Sequence, residues 1–94
     1  MTLYWTARAS ENLSGILSYI AKDSEQSAAT VAAHILECVE MLTTHPHIGR
    51  HGRRRGTREL VITGTQYIIP YRERGNVIEL LAVVHGRERW PRKL

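Results

Sequence analysis

Cysteine is almost absent from this 94-residue chain: the single Cys38 excludes an internal disulfide framework and any metal cage built from several thiolates. A reducing compartment, the cytoplasm, is the expectation. No run approaches the roughly 20 apolar residues of a membrane span, and the opening MTLYWTARAS lacks the basic-then-apolar order of a secretory leader. Neither membrane insertion nor secretion is expected. Cations are scarce at the start: Met1 to Gly49 carries only Arg8 and Lys22 against five acids, a net charge of −3. From Arg50 onward the balance reverses to +7. Lysine is rare throughout, since eleven of the thirteen basic residues are arginines, whose planar forks grip phosphate or carboxylate in a bidentate way. The basic half therefore suits nucleic acid or an acidic protein surface.

What is present supports folding. An apolar share of 43% with 23% charged residues is enough for one core, and the length allows a single domain over 1–94. Leu-Tyr-Trp-Thr at 3–6 favours a short strand. Thr6 can cap a helix over about 7–22, in which Leu13, Ile16, Leu17 and Ile20 recur at the spacing of one buried face. Gly15 inside it predicts close packing of another backbone. Asp23 and Ser24 offer a second cap, and Ala28, Val31, Ala32, Ile35, Cys38, Val39 and Leu42 extend a helix over about 24–44 that Pro46 ends. So short a turn makes the two helices an antiparallel hairpin. Cys38 falls in phase with the apolar stripe and reads as a small buried hydrophobe.

Residues 45–56 hold three glycines, one proline, four arginines and three histidines, and read as an exposed, mobile loop. His45, His47 and His51 have no carboxylate or cysteine beside them there, so no metal site and no cofactor are expected. From Thr57 the period becomes extended: strands at Thr57–Ile62, Gln66–Arg72 and Val77–Val84, with turns at Thr63-Gly64-Thr65 and Arg74-Gly75-Asn76, make a three-stranded antiparallel meander. Pro70 cannot donate to a ladder and predicts a bulge or an unpaired stretch. On the last strand Ile78, Leu80, Ala82 and Val84 would face the helices, while Glu79, Leu81, Val83 and His85 would face a partner or substrate. The expected class is α+β, in the order β-α-α-β-β-β, with the helices on one face of the sheet. The end of the chain, His85 to Leu94, concentrates basic side chains around Trp90. Arginine can hold phosphate, tryptophan can stack or fill a pocket, and histidine can move protons near neutral pH.

The same element order, with the phrases Ile48-Gly49-Arg50, Thr57-Arg58-Glu59-Leu60, Tyr67-Ile68-Ile69-Pro70-Tyr71-Arg72 and Val84-His85-Gly86-Arg87-Glu88-Arg89-Trp90-Pro91, resembles the RelE/ParE toxin superfamily of bacterial type II toxin-antitoxin systems. The resemblance runs from Leu3 to Pro91. It implies a small α+β toxin neutralised by a cognate antitoxin in a hetero-oligomer, and it covers two activities: RelE-like members cleave messenger RNA on the ribosome, whereas ParE-like members poison DNA gyrase.

Carried across residue by residue, the RelE set is mostly broken. Arg58 can stand for a strand lysine and Arg87 matches the arginine after the last strand, but Ile68 occupies the place of an arginine, and no tyrosine follows Tyr71. A hydrophobe cannot stabilise a pentavalent phosphate. The nuclease alternative survives only with Glu59 as base and His85 as acid, aided by Arg58, Arg72 and Arg87. The ParE-like reading needs no catalytic set, and Arg87, Arg89 and Trp90 are then the expected target anchors, because interface hot spots favour Trp and Arg. A third possibility is a homologue without toxicity that only binds antitoxin. For the antitoxin, Leu81 and Val83 beside Arg58 and Arg72, together with a hairpin groove lined by alanines, would suit an amphipathic acidic segment that folds on contact.

Overall fold

The structure, a computed structural model, describes residues 1–87 and Trp90. It opens with strand β1 (Thr2–Trp5), followed by helices α1 (Ala7–Ala21) and α2 (Glu25–Glu40) and a short 3-10 turn at Met41–Thr43. Strands β2 (Arg50–His51), β3 (Arg58–Val61), β4 (Tyr67–Arg74), β5 (Val77–Leu80) and β6 (Val84–His85) complete it. The sheet runs β1-β5-β4-β3-β2, with β6 pairing to β4. All its pairings are antiparallel except that of β1 with β5. The α+β class and element order thus follow the sequence, but β1 and β2 widen the expected meander on both sides.

Local chemistry sets the element ends. Thr6 Oγ1 accepts from the Ala9 N–H at 3.1 Å and donates to the Leu80 carbonyl at 2.7 Å, so one hydroxyl caps α1 and fixes its start to β5. Ser24 rather than Asp23 caps α2, through the Ser27 N–H at 3.0 Å. The β4–β5 hairpin closes on two residues with Gly75 at φ +60°, a left-handed position that glycine adopts at little cost. Gly15 corrects an expectation: no neighbouring atom lies within 4 Å of where its Cβ would be, so no backbone packs there.

The helices cover one face of the sheet. Ile35, Val39 and Leu42 meet Leu60, Ile69 and Leu80 in the main core, with Leu13 and Ile16 of α1 packed against it. Burying such side chains contributes about 1.5–3 kcal/mol each relative to exposure.

The last strand departs from simple alternation. Tyr71 pairs with Leu80 and Ile68 with Val84, so two residues of β4, Ile69 and Pro70, face three of the other strand, Leu81 to Val83. This is a β-bulge opposite the proline that lacks a ladder donor. The extra residue exchanges the faces: Val83 joins the helix-side core, while Ala82 and Val84 join Ile68 on the outer face. The expected exposure of Leu81 and Val83 is therefore corrected, since they are 5% and 3% exposed. The Val83 N–H finds its acceptor in α1, at Asn12 Oδ1, 3.1 Å away.

The 45–56 segment is likewise more ordered in its contacts than its composition predicts. The buried Tyr71 hydroxyl donates to the Pro46 carbonyl at 2.7 Å and accepts from the Gly49 N–H at 2.9 Å. A Cβ on Gly49 would lie 2.6 Å from that ring, so only glycine lets the loop come this close. Burial pushes the Tyr71 phenol above the ordinary tyrosine value, against smaller opposing effects of the Gly49 hydrogen bond and the Arg58 charge.

Candidate interaction surface

Strand register sorts the candidate residues by face. Glu59 pairs with Pro70 and Arg50, and Pro70 shares its face with Ile68 and Arg72. This is the outer face, away from the helices. His85 pairs with Tyr67 and meets its ring edge-on, with centroids 6.0 Å apart, and Tyr67 packs against the helix-side core. Glu59 and His85 therefore belong to opposite faces, and the acid–base pair of the nuclease alternative is not brought together.

Two of the three cations meant to serve that pair, Arg58 and Arg72, are engaged within the protein. Arg58 Nη1 donates to the carbonyls of Gly49 at 2.9 Å and His47 at 3.3 Å, holding the 45–49 loop against β3. Arg72 Nε bonds Glu79 Oε1 at 2.6 Å, with Arg74 at 3.7 Å from the same oxygen. Arg87 is exposed, and its backbone N–H donates to His85 Nδ1 at 3.2 Å.

Glu59 is itself the hub of an ionic cluster. It is 3% exposed, yet one oxygen takes Arg50 Nε and Nη2, both at 3.0 Å, and the other takes the Arg53 backbone N–H at 3.0 Å. A buried carboxylate is tolerable when paired and hydrogen-bonded in this way. Both oxygens are occupied, so the group acts as an anchor for the arginine loop. Arg53 in turn lies over the Trp90 ring, 3.8 Å from its centroid, a cation–π stack. Beneath, Trp90 packs against Ile68, Ala82 and Val84. Its Nε1 is buried without a hydrogen-bond partner among the described residues. The isoleucine at position 68 thus seats an indole. Arg89, the remaining expected target anchor, lies outside the described residues.

Arg50 and Arg53 have partners within the chain that the local sequence does not reveal. They lie in the phrase Ile48-Gly49-Arg50 and in the Arg53-Arg54-Arg55 run, but nothing local pairs either one with Glu59 or Trp90. Cys38 packs against the core but is half-buried where a fully buried residue was expected, and burial, then the neighbouring Glu37 charge, pushes its thiol upward, away from the thiolate form.

The sheet thus divides Glu59 from His85, ties Arg58 and Arg72 to internal acceptors and seats Trp90 beneath Arg53. The family model for the ParE toxin of the type II toxin-antitoxin system parDE matches residues 3–90. The chain belongs to the ParE toxin family. It is 46% identical over 90 residues, 96% of this chain and 93% of the other, to "Putative toxin Y4kP" of Sinorhizobium fredii (strain NBRC 101917 / NGR234). A solved structure titled "Chromosomal ParDE TA system from P. aeruginosa" superposes with a TM-score of 0.81 at 26% identity, over 90% of this chain and 95% of the other. The ParE fold and the ParE sequence pattern therefore coincide over nearly the whole length. Among the described residues, no helix of this ParE-family chain is long and apolar enough to cross a membrane.

Proposed function

We propose that this chain arrests DNA gyrase by binding it and stabilising its cleaved-DNA complex, and that a cognate antitoxin neutralises it. The observation that carries the reading is the separation of Glu59 and His85 onto opposite faces, with Ile68 buried under Trp90 where RNA-cutting relatives need a guanidinium. Without a base, an acid and a free cation at one place, a 2′-hydroxyl cannot be driven onto its phosphate at a useful rate. Membership of the ParE branch supports the same conclusion. Recognition is then assigned to Arg87 and Arg89, since arginine is frequent among interface hot spots, while the expected anchor Trp90 is occupied beneath Arg53. The site of action is the cytoplasm, where gyrase and ribosomes both lie.

The test sets the two activities side by side. Purified protein is added to gyrase supercoiling reactions and to translating ribosomes whose message is read by primer extension. Accumulation of cleaved plasmid with intact message is expected. Codon-phased cuts in the message with normal supercoiling would overturn the reading.

A further inference from the structure

Arg53 and Trp90 stand 37 positions apart in the sequence and meet on the outer face of the sheet. The turn that carries Arg53 is closed by its own bonds. The Gly52 N–H donates to the Thr57 carbonyl at 2.9 Å, while the Thr57 N–H and hydroxyl both donate to the Arg54 carbonyl, at 3.1 and 2.6 Å. A Cβ on Gly52 would collide with Thr57, so only glycine permits so tight a closure. From within the sheet the buried Glu59 takes the Arg53 N–H. The backbone of Arg53 is thereby fixed, and its guanidinium is presented to the indole.

Trp90 has two kinds of contact. Its ring packs on Ile68, Ala82 and Val84, a small cluster apart from the main core, and lies beneath Arg53 at 3.8 Å. A planar guanidinium at that distance adds dispersion to the attraction between charge and ring, which a compact ammonium does less well. The chain is also fastened ahead of this point, where the Gly86 N–H donates to the Gln66 carbonyl at 2.6 Å. Arg87 and Arg89 fall between these two attachments in the sequence. A segment tied at both ends loses less freedom when it binds, and the ordering cost of association falls accordingly.

We infer that Arg53 is a positioning residue for target recognition: its stack on Trp90 fastens the segment that bears Arg87 and Arg89, so that gyrase meets it already ordered. This rests on the reading of those two arginines as gyrase anchors. Arg53 acts through Trp90, and its contribution is preorganisation.

The test measures the protein concentration that gives half-maximal accumulation of gyrase-cleaved plasmid, together with exchange of the Trp90 indole N–H, the indole resonance missing from the NMR spectrum of Trp90→Ala. Arg53→Ala is expected to raise that concentration by about tenfold or more and to speed the indole exchange to a similar degree. Arg53→Lys keeps the charge without the planar stack and should lose inhibition in the same direction by a smaller factor. Arg55→Ala removes a charge from the same loop and should stay within about threefold of the parent. Trp90→Ala is expected to match Arg53→Ala, and the double variant to be no weaker than either single one, because both changes release the same attachment. Losses that add in full would mean that Arg53 touches the target itself and would overturn the inference, as would an equal loss in Arg55→Ala. Unchanged inhibition by Arg53→Ala overturns it too and leaves the gyrase reading standing. A parent chain that accumulates no cleaved plasmid overturns that reading and the inference with it.

Discussion

Single side chains fasten this fold at points where the backbone lacks a partner. Tyr71 illustrates the logic, because its one hydroxyl satisfies the Pro46 carbonyl and the Gly49 N–H at once. Tyr71→Phe leaves both groups unpaired in a buried place and is expected to cost about 1–3 kcal/mol, read as a lower denaturant midpoint. The phenol also carries a pH dependence. Its folded value lies above the ordinary tyrosine value of about 10, so its contribution to stability is fully present below that pH and fades as pH rises through the folded value. Spectrophotometric titration should find a phenol ionising above the ordinary tyrosine value that is lost in the Phe variant, and the stability of that variant should change less than that of the parent there.

Asn12 performs a comparable task for the bulge. Its amide oxygen holds the Val83 N–H, which the bulge takes out of the β4 ladder. Asn12→Ala is expected to destabilise by about 1–3 kcal/mol and to speed amide exchange at Val83 in particular. Nothing in the helical pattern of α1 marks this asparagine, since a polar residue beside an apolar stripe is ordinary.

Elements were legible where their cause is local. The two helices, their caps at Thr6 and Ser24, and the turns at Gly64 and Gly75 arise from residues within a few positions of one another. Gly15 marks the limit of that reading. A glycine inside a helix suggests close packing, but the space around it is open. Gly15→Ala is therefore expected to raise stability by about 0.5–1 kcal/mol, seen as a higher melting temperature, because the helix gains without any clash. The last strand marks a second limit. Pro70 announced a bulge, yet only the pairing of β4 with both β5 and β6 shows that the extra residue lies at Leu81–Val83 and reverses which side chains face the helices.

At the scale of the whole molecule, charge asymmetry and buried ion pairs act together. The basic half gathers the Arg50–Glu59–Arg53 cluster and the Trp90 stack. Glu59 and His85, the proton carriers of the nuclease alternative, are not brought together within it. In the proposed gyrase-binding mechanism, Glu59→Gln, which keeps an acceptor for the Arg53 N–H, and His85→Ala should each leave growth arrest within about threefold of the parent on induced expression. A loss of a hundredfold or more from either change would indicate general acid–base catalysis, whose usual contribution is about 10²–10⁴-fold.

The sequence by itself determined the α+β class, the helical hairpin, the turns and the absence of an arginine at position 68, because periodicity, caps and residue identity act over a few neighbouring positions. Tertiary structure alone decided that Leu81 and Val83 are buried, that Glu59 and His85 face apart, and that Trp90 is seated on Ile68. Each of these depends on strand register, and a one-residue shift in pairing moves every following side chain to the other face.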